Sequence, residues 1–183
     1  SISMKKQLLF FLFFLSGLFV CAQDYYMPSP VGYASGITGG GSATPQKVTT
    51  QTQLKDAIKN GNAVVIVEGS INITETISLD GKKNITILGK KGATLNLTKG
   101  GFIFKKGCEN IIIRNLIFNG PGAKDVNGDD PVGIDGSTRI WVDHCEFRDG
   151  MDGNFDIKSE ANNITVTWCK FLYTSKSTGH KFS

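Results

Sequence analysis

Histidine, cysteine, proline and arginine are all scarce in this chain of 183 residues, and long apolar runs are almost absent. The four cysteines lie at wide spacing with no CxxC pair, which excludes a disulfide framework and a zinc site of the finger or ribbon kind. Three of them, Cys108, Cys145 and Cys169, read as buried thiols packed as small hydrophobes. Lysines and arginines form no block and do not alternate with aromatics, and the formal charge is only +4. Nucleic acid is therefore excluded as a partner. What is abundant is glycine, at 22 residues, with frequent Asn, Thr and Ile in a chain that is 40% hydrophobic. That composition favours a single folded, β-rich, turn-rich domain.

The one long apolar run is "QLLFFLFFLSGLFV" at 7–20. It follows Lys5-Lys6, is short for a membrane span, and ends at "VCA" before Gln23. Residues 4–22 read as a signal peptide, with a mature chain over 23–183 that is secreted (extracellular or periplasmic) and free of stable membrane association. Ser1 to Ser3 then lie upstream of the natural start at Met4. A lipid anchor on Cys21 is the rival, and Val20 fits poorly before a lipidated cysteine.

The middle of the chain holds a repeat. "NITILG" (84–89), "NIIIRNLIF" (110–118), "RIWVDHCEF" (139–147) and "NITVTWCKF" (163–171) align in register. Ile85, Ile111, Ile140 and Ile164 form one column, and Ile87, Ile113, Val142 and Val166 a second. Leu116, Cys145 and Cys169 form a third, and Phe118, Phe147 and Phe171 a fourth. Shorter strands precede three copies: "FIFK" (102–105), "VGID" (132–135) and "FDIK" (155–158). Strands this short cannot make a core singly, whereas stacked coils bury a continuous one with like residues about 4.8 Å apart. The pattern predicts an all-β protein, a right-handed single-stranded parallel β-helix. A β-sandwich is the alternative, and it does not require columns of like residues at a coil-length period.

Upstream, 50–62 reads as a short helix with Thr52 as its N-cap, Leu54, Ala57 and Ile58 on one face, and Gly61 as its stop. It is expected to cap the open N-terminal end of the β-helix, where a bare edge would recruit other chains. At the other end, Phe182 reads as the start of a further coil, so the sequence is expected to be an N-terminal fragment, monomeric when full length.

Asp156 and Lys158 lie two apart on "FDIK" and should both face outward. Asp152 sits at the bend before that strand. Registering Ile134 on Ile157 puts Asp130 at the equivalent bend one coil earlier. Asp130, Asp152 and Asp156 should therefore converge on one outer face. Hard oxygen ligands without His or thiolate suit Ca²⁺, which tolerates irregular geometry and water ligands. Asp129 and Asp149 read as solvated bend residues. His144 is expected to make a structural hydrogen bond. Trp141 and Trp168 are open between sugar stacking and packing, and His180 is a cleft candidate without a firm place.

The run "RIWVDHCEF…DGNFDIK…NITVTWCKF" resembles the central motif of the pectate lyase superfamily, and "GYASGITGGG" and "KVTTQTQLKDAI…VVIVEGSI" resemble its N-terminal part. The resemblance covers nearly all of the mature chain. It implies a secreted, Ca²⁺-dependent lyase that cleaves polygalacturonate (pectin) by β-elimination. It places Asp130 at the acidic position of the family's GDaI-type segment, and Asp152 and Asp156 at the two acidic positions of DGxxD. Lys158 and Lys176 fall at basic positions that grip substrate carboxylates. The family's proton-abstracting arginine has no counterpart here, since Arg114, Arg139 and Arg148 all lie upstream in other contexts, and it is expected beyond residue 183. Two other functions fit the fold: a polygalacturonase, with paired acids flanking the scissile bond, and a non-catalytic carbohydrate-binding β-helix. A pectin lyase is disfavoured, because neutral substrate needs no calcium cluster.

Overall fold

A computed structural model describes residues 29–179. The expected leader, Cys21 and His180 lie outside the described residues. After a 3₁₀ turn at Gly32–Ala34, the chain runs through β1 (Pro45–Val48), helix α1 (Gln51–Ile58) and β2 (Ala63–Val67). From there every coil lays down three strands. The first coil holds β3 (Ser70–Ile73), β4 (Ile77–Asp80) and β5 (Lys83–Gly89), and the second β6 (Thr94–Leu97), β7 (Phe102–Lys105) and β8 (Glu109–Arg114). The third holds β9 (Ile117–Asn119), β10 (Val132–Asp135) and β11 (Thr138–Asp143). The fourth holds β12 (Glu146–Arg148), β13 (Asp156–Lys158) and β14 (Asn162–Thr167), after which β15 (Lys170–Leu172) begins another turn.

Like strands stack into three parallel sheets. Sheet A runs β1-β2-β5-β8-β11-β14, sheet B β3-β6-β9-β12-β15, and sheet C β4-β7-β10-β13. This is the parallel β-helix that the repeat predicted. The columns are as expected: Ile140 pairs with both Ile111 and Ile164, and Phe147 with both Phe118 and Phe171. The phenylalanines stack nearly parallel, with centroids 4.9 and 5.0 Å apart. Aromatic stacking at that distance adds about 0.5–1.5 kcal/mol per pair beyond area burial.

Each nine-residue segment is two strands, not one. Asn115, His144 and Trp168 adopt left-handed φ of 56°, 50° and 52°, which bends the chain from sheet A into sheet B. A second left-handed column opens the sheet A strands at Asn62, Asn84, Asn110, Arg139 and Asn163. Asparagine tolerates that region better than most residues, and here its amide also bonds between coils. Asn84 Nδ2 donates to Asn62 Oδ1 and Asn110 Nδ2 to Asn84 Oδ1, both at 2.8 Å.

Helix α1 packs against β1, β2 and β3 at the N-terminal end of the stack, as a cap should. Its N-cap is Thr50 and not Thr52. The Thr50 hydroxyl accepts from Gln53 N–H at 3.2 Å, while Gln53 Oε1 accepts from Thr49 N–H at 2.9 Å, so two orphan donors at the helix entry are satisfied reciprocally. Leu54 and Ile58 are fully buried beneath it, worth about 1.5–3 kcal/mol each.

Coil length sets where the loops fall. Stacked pairs give spacings of 22, 26, 29 and 24 residues along the stack. The longest coil carries its surplus between β9 and β10, in the loop that delivers Asp129 and Asp130 to sheet C.

Candidate active site

Sheet C faces outward with two rows of side chains. Register sets Ile103, Gly133 and Asp156 side by side in one row, and pairs Asp80 with Lys105 and Asp135 with Lys158 in the next. Above the first row arch the loops at 120–131 and 149–155. The lower loop is stapled by Asn154, fully buried, whose Oδ1 accepts from Gly150 N–H at 2.9 Å and whose Nδ2 donates to Leu172 C=O at 3.3 Å. The upper loop is tied to it by the N–H groups of Lys124 and Asp125, both donating to Met151 C=O.

These loops bring Asp130, Asp152 and Asp156 to the rim of one hollow of about 70 Å³, joined by Asp129, Asp135 and Lys158. Asp130 accepts from Gly153 N–H at 2.7 Å. Its pKa is pushed up to about 6, foremost by burial, with the charges of Asp152 and Asp156 adding to it against the Gly153 hydrogen bond and Lys158. Lys158 Nζ lies 3.0 Å from Asp156 Oδ2. Among the described residues no three carboxylate, imidazole or thiolate groups already close into an ion cage.

The hollow nonetheless suits a hard cation. Its donors are carboxylate oxygens, one of them disfavoured as an anion first by burial and then by its neighbours. Outside the residues that line the hollow, the Tyr173 hydroxyl is buried with no hydrogen-bond partner, and its pKa is raised first by burial and then by Asp130 and Asp152. Sequence reading missed Asp135. The register of Ile134 on Ile157 already carried Asp135, since it sets that residue opposite Lys158.

Lys176 lies outside the lining of the hollow, its ammonium donating to Gly120 C=O at 2.9 Å and to Asn119 Oδ1 at 3.4 Å. The reading of Asp149 is corrected. Asp149 is no solvated bend residue. It is 1% exposed and accepts from Thr174 N–H, Thr174 Oγ1 and Ser177 Oγ, each at 2.7 Å. Burial raises its pKa, but those donors outweigh burial and hold the carboxyl below the usual range. Asp129 accepts from Thr76 Oγ1 at 2.6 Å.

The VDH segment serves the opposite side of the coil. Asp143 is fully buried on the outer face of sheet A, with Arg114 Nε and Nη2 both 2.9 Å from its Oδ2 and Thr167 Oγ1 2.7 Å from its Oδ1. His144 Nδ1 lies 2.8 Å from the same carboxylate. Trp141 is a packing residue: 1% exposed, it clusters with Ala34, Ile37 and Ile112, under the Arg114 guanidinium at 4.5 Å. Trp168 is 71% exposed.

Stacked parallel coils with a carboxylate-rimmed hollow on one sheet define a parallel β-helix protein whose candidate site lies on sheet C. The family model for pectate lyase matches residues 12–180, and the chain belongs to that family. It is 36% identical over 161 residues to a pectate trisaccharide-lyase of Thermotoga maritima, covering 78% of this chain and 42% of that protein. It is 34% identical over 149 residues to pectate lyase plyB of Emericella nidulans, covering 75% of this chain and 43% of that one. The chain thus spans less than half the length of these curated relatives. Among solved structures, a pectate lyase from Paenibacillus sp. 0602 superposes with a TM-score of 0.65 at 24% identity, over 78% of this chain and 42% of that one. A pectate lyase from Bacillus sp. N165, solved with trigalacturonate, gives 0.63 at 23% identity, over 80% and 56%. Both share the fold.

Proposed function

We propose that the chain is part of an exported, calcium-dependent pectate lyase that cleaves polygalacturonate by β-elimination. The observation that carries this reading is the convergence of Asp130, Asp152 and Asp156 on the rim of one hollow over sheet C, with Asp130 raised to about 6, in a chain of the pectate lyase family. These three carboxylates would hold the ion, with water completing its shell. Calcium, when bound, neutralises the galacturonate carboxylate and so makes the adjacent C5 proton acidic. Asp130 accepts the role once it has given up its proton. Lys158, released from Asp156, turns to a sugar carboxylate and fixes the ring in place. The adjoining concavity of about 720 Å³ shares Asp135, and its Lys105 and Lys106 stand among Asp80, Asp135 and Glu160.

The three arginines of this sequence are committed elsewhere: Arg114 to Asp143, Arg139 to Glu109 and Gly36 C=O, and Arg148 to Glu146. By the family resemblance the proton acceptor would be an arginine, and these three face the partners just named. A signal peptide at 4–22 accounts for export and leaves a monomer in the medium or periplasm. The test is polygalacturonate digestion by the intact protein, followed by near-ultraviolet absorbance with and without chelator. New unsaturated ends that vanish with chelator support the reading. Reducing ends without such absorbance, indifferent to chelator, would make the protein a polygalacturonase-type hydrolase.

A further inference from the structure

Three coils meet where their chains enter sheet C. Thr76 stands directly before β4 on the first coil, Gly100 and Gly101 directly before β7 on the second, and Asp129 to Pro131 directly before β10 on the third. The Thr76 hydroxyl donates to Asp129 Oδ2 at 2.6 Å and accepts from Gly100 N–H at 3.2 Å, so one oxygen ties the three coils together. The backbone repeats the tie. Ile77 N–H donates to Gly101 C=O at 2.8 Å, Gly101 N–H to Asp130 C=O at 3.3 Å, and Phe102 N–H to Pro131 C=O at 3.0 Å.

Gly100 is required by this approach. It is not among the left-handed glycines, but a Cβ there would lie 2.5 Å from Asp129 Cβ, 2.7 Å from Asp130 O and 3.0 Å from Thr76 Oγ1. Any side chain at 100 would push the Asp129–Asp130 loop away. The bond from Thr76 to Asp129 spans 53 residues, so it is no local turn device. It is short and made to a carboxylate, the stronger kind of hydrogen bond. Asp129 shares the lining of the hollow with Asp130, Asp152 and Asp156. A space of about 70 Å³ takes an ion with a water or two, and a loose fourth carboxylate there would crowd Asp130.

Resting on the calcium site of the lyase reading above, we propose that Thr76 is a positioning residue for that site. It acts through Asp129, which serves as an anchor and not as a ligand, and so fixes the loop that presents Asp130. In Thr76→Val the shape is nearly kept, but Asp129 loses its donor and Gly100 N–H its acceptor. Backbone bonds alone then hold the loop.

The test compares the intact wild-type protein with Thr76→Val, Thr76→Ser and Asp129→Asn by calcium calorimetry and thermal melting; should valine not fold, Thr76→Ala is read in its place. Groups that orient metal ligands are worth about 10- to 100-fold in affinity, and Thr76→Val should lose about tenfold. Serine keeps the hydroxyl, and asparagine keeps an oxygen to accept from it at the loss of one part-exposed charge, so both should stay within about threefold of wild type. Lyase activity of Thr76→Val should fall at limiting calcium and return at saturating calcium, which a general loss of folded protein would not produce. If Thr76→Val binds calcium as tightly as wild type, whatever its melting temperature, the positioning role is refuted and the lyase reading stands. A loss in Asp129→Asn as large as that in Thr76→Val, or larger, would make Asp129 a ligand and refute the anchor. A wild-type protein that binds no calcium would overturn the lyase reading, and the role of Thr76 with it.

Discussion

Removing the Asp143 carboxylate should be the most damaging single change on the face opposite the site. The side chain is fully buried, receives two hydrogen bonds from Arg114 and one from Thr167, and has Trp141 Nε1 behind it, donating to Thr167 Oγ1 at 2.8 Å. Register explains the assembly: Arg114, Asp143 and Thr167 occupy one column of three adjacent strands. In Asp143→Ala the guanidinium, 15% exposed and pinned over Trp141, keeps its charge and loses the Asp143 carboxylate. Breaking a buried pair from one side costs about 3–5 kcal/mol. For a chain of this size each kcal/mol lowers the melting temperature by about 2–4 °C, so a fall of about 6–20 °C is expected. Asp143→Ala with Arg114→Met should recover part of the loss, since both charges are then gone. Thermal and urea unfolding of the four proteins in the cycle gives the coupling. A single variant within about 1 kcal/mol of wild type, or a double variant as unstable as the sum of the singles, would refute the argument.

Asp156→Ala should weaken calcium binding at least tenfold by calorimetry, while exposed Asp125→Ala leaves it unchanged; equal affinities would sink the assigned ligands. Calcium affinity should be full above about pH 7 and fall roughly tenfold per unit below pH 6, because Asp130, raised to about 6, must lose its proton to act as a ligand; a flat profile from pH 5 to 7 would remove Asp130 from the site. Asp149 has a folded pKa depressed below its reference value of 3.8, so it stabilises the protein above that pH and loses the contribution as the pH falls through the folded value. Asp149→Asn should accordingly unfold more readily at neutral pH and show a shallower acid transition than wild type. Cys108 and Cys145 are 0% and 2% exposed, and burial raises both thiol pKa values, so neither should react with a thiol reagent until the protein unfolds; prompt labelling of both would mean the inward register is wrong.

Stacking in register made much of this legible from sequence. A parallel coil places like side chains above one another, so the Ile and Phe columns appear as a period in the chain itself, and aligning Ile134 with Ile157 was enough to bring Asp130 near Asp152. The bends were hidden for a physical reason. Left-handed residues are advertised when they are Gly or Asn, and at 139, 144 and 168 the positions are held by Arg, His and Trp, which carry no such signal. Asp149 was misread because its partners, Thr174 and Ser177, come 25 and 28 residues later from the next coil, and nothing local announces them. The Lys176 ammonium meets the Gly120 carbonyl, an acceptor from the coil before that no local pattern announces.

Three aspartates of the third and fourth coils show why the candidate face is where it is. Asp143 and Asp149 are both buried, and each is met by three strong donors that the coil stack supplies in register. Their charges are balanced inside the protein, and both positions serve stability. Asp130 is also withdrawn from water, yet among the described residues its one hydrogen-bond donor is the Gly153 N–H, and it faces two further carboxylates against the single charge of Lys158. Burying an anion without donors is costly enough that the group tends to take up a proton instead, which is the sense of its rise to about 6. The same scaffold that satisfies two buried carboxylates so fully leaves the third short of donors. A carboxylate on the rim of the sheet C hollow that is short of donors and faces two others is suited to a cation.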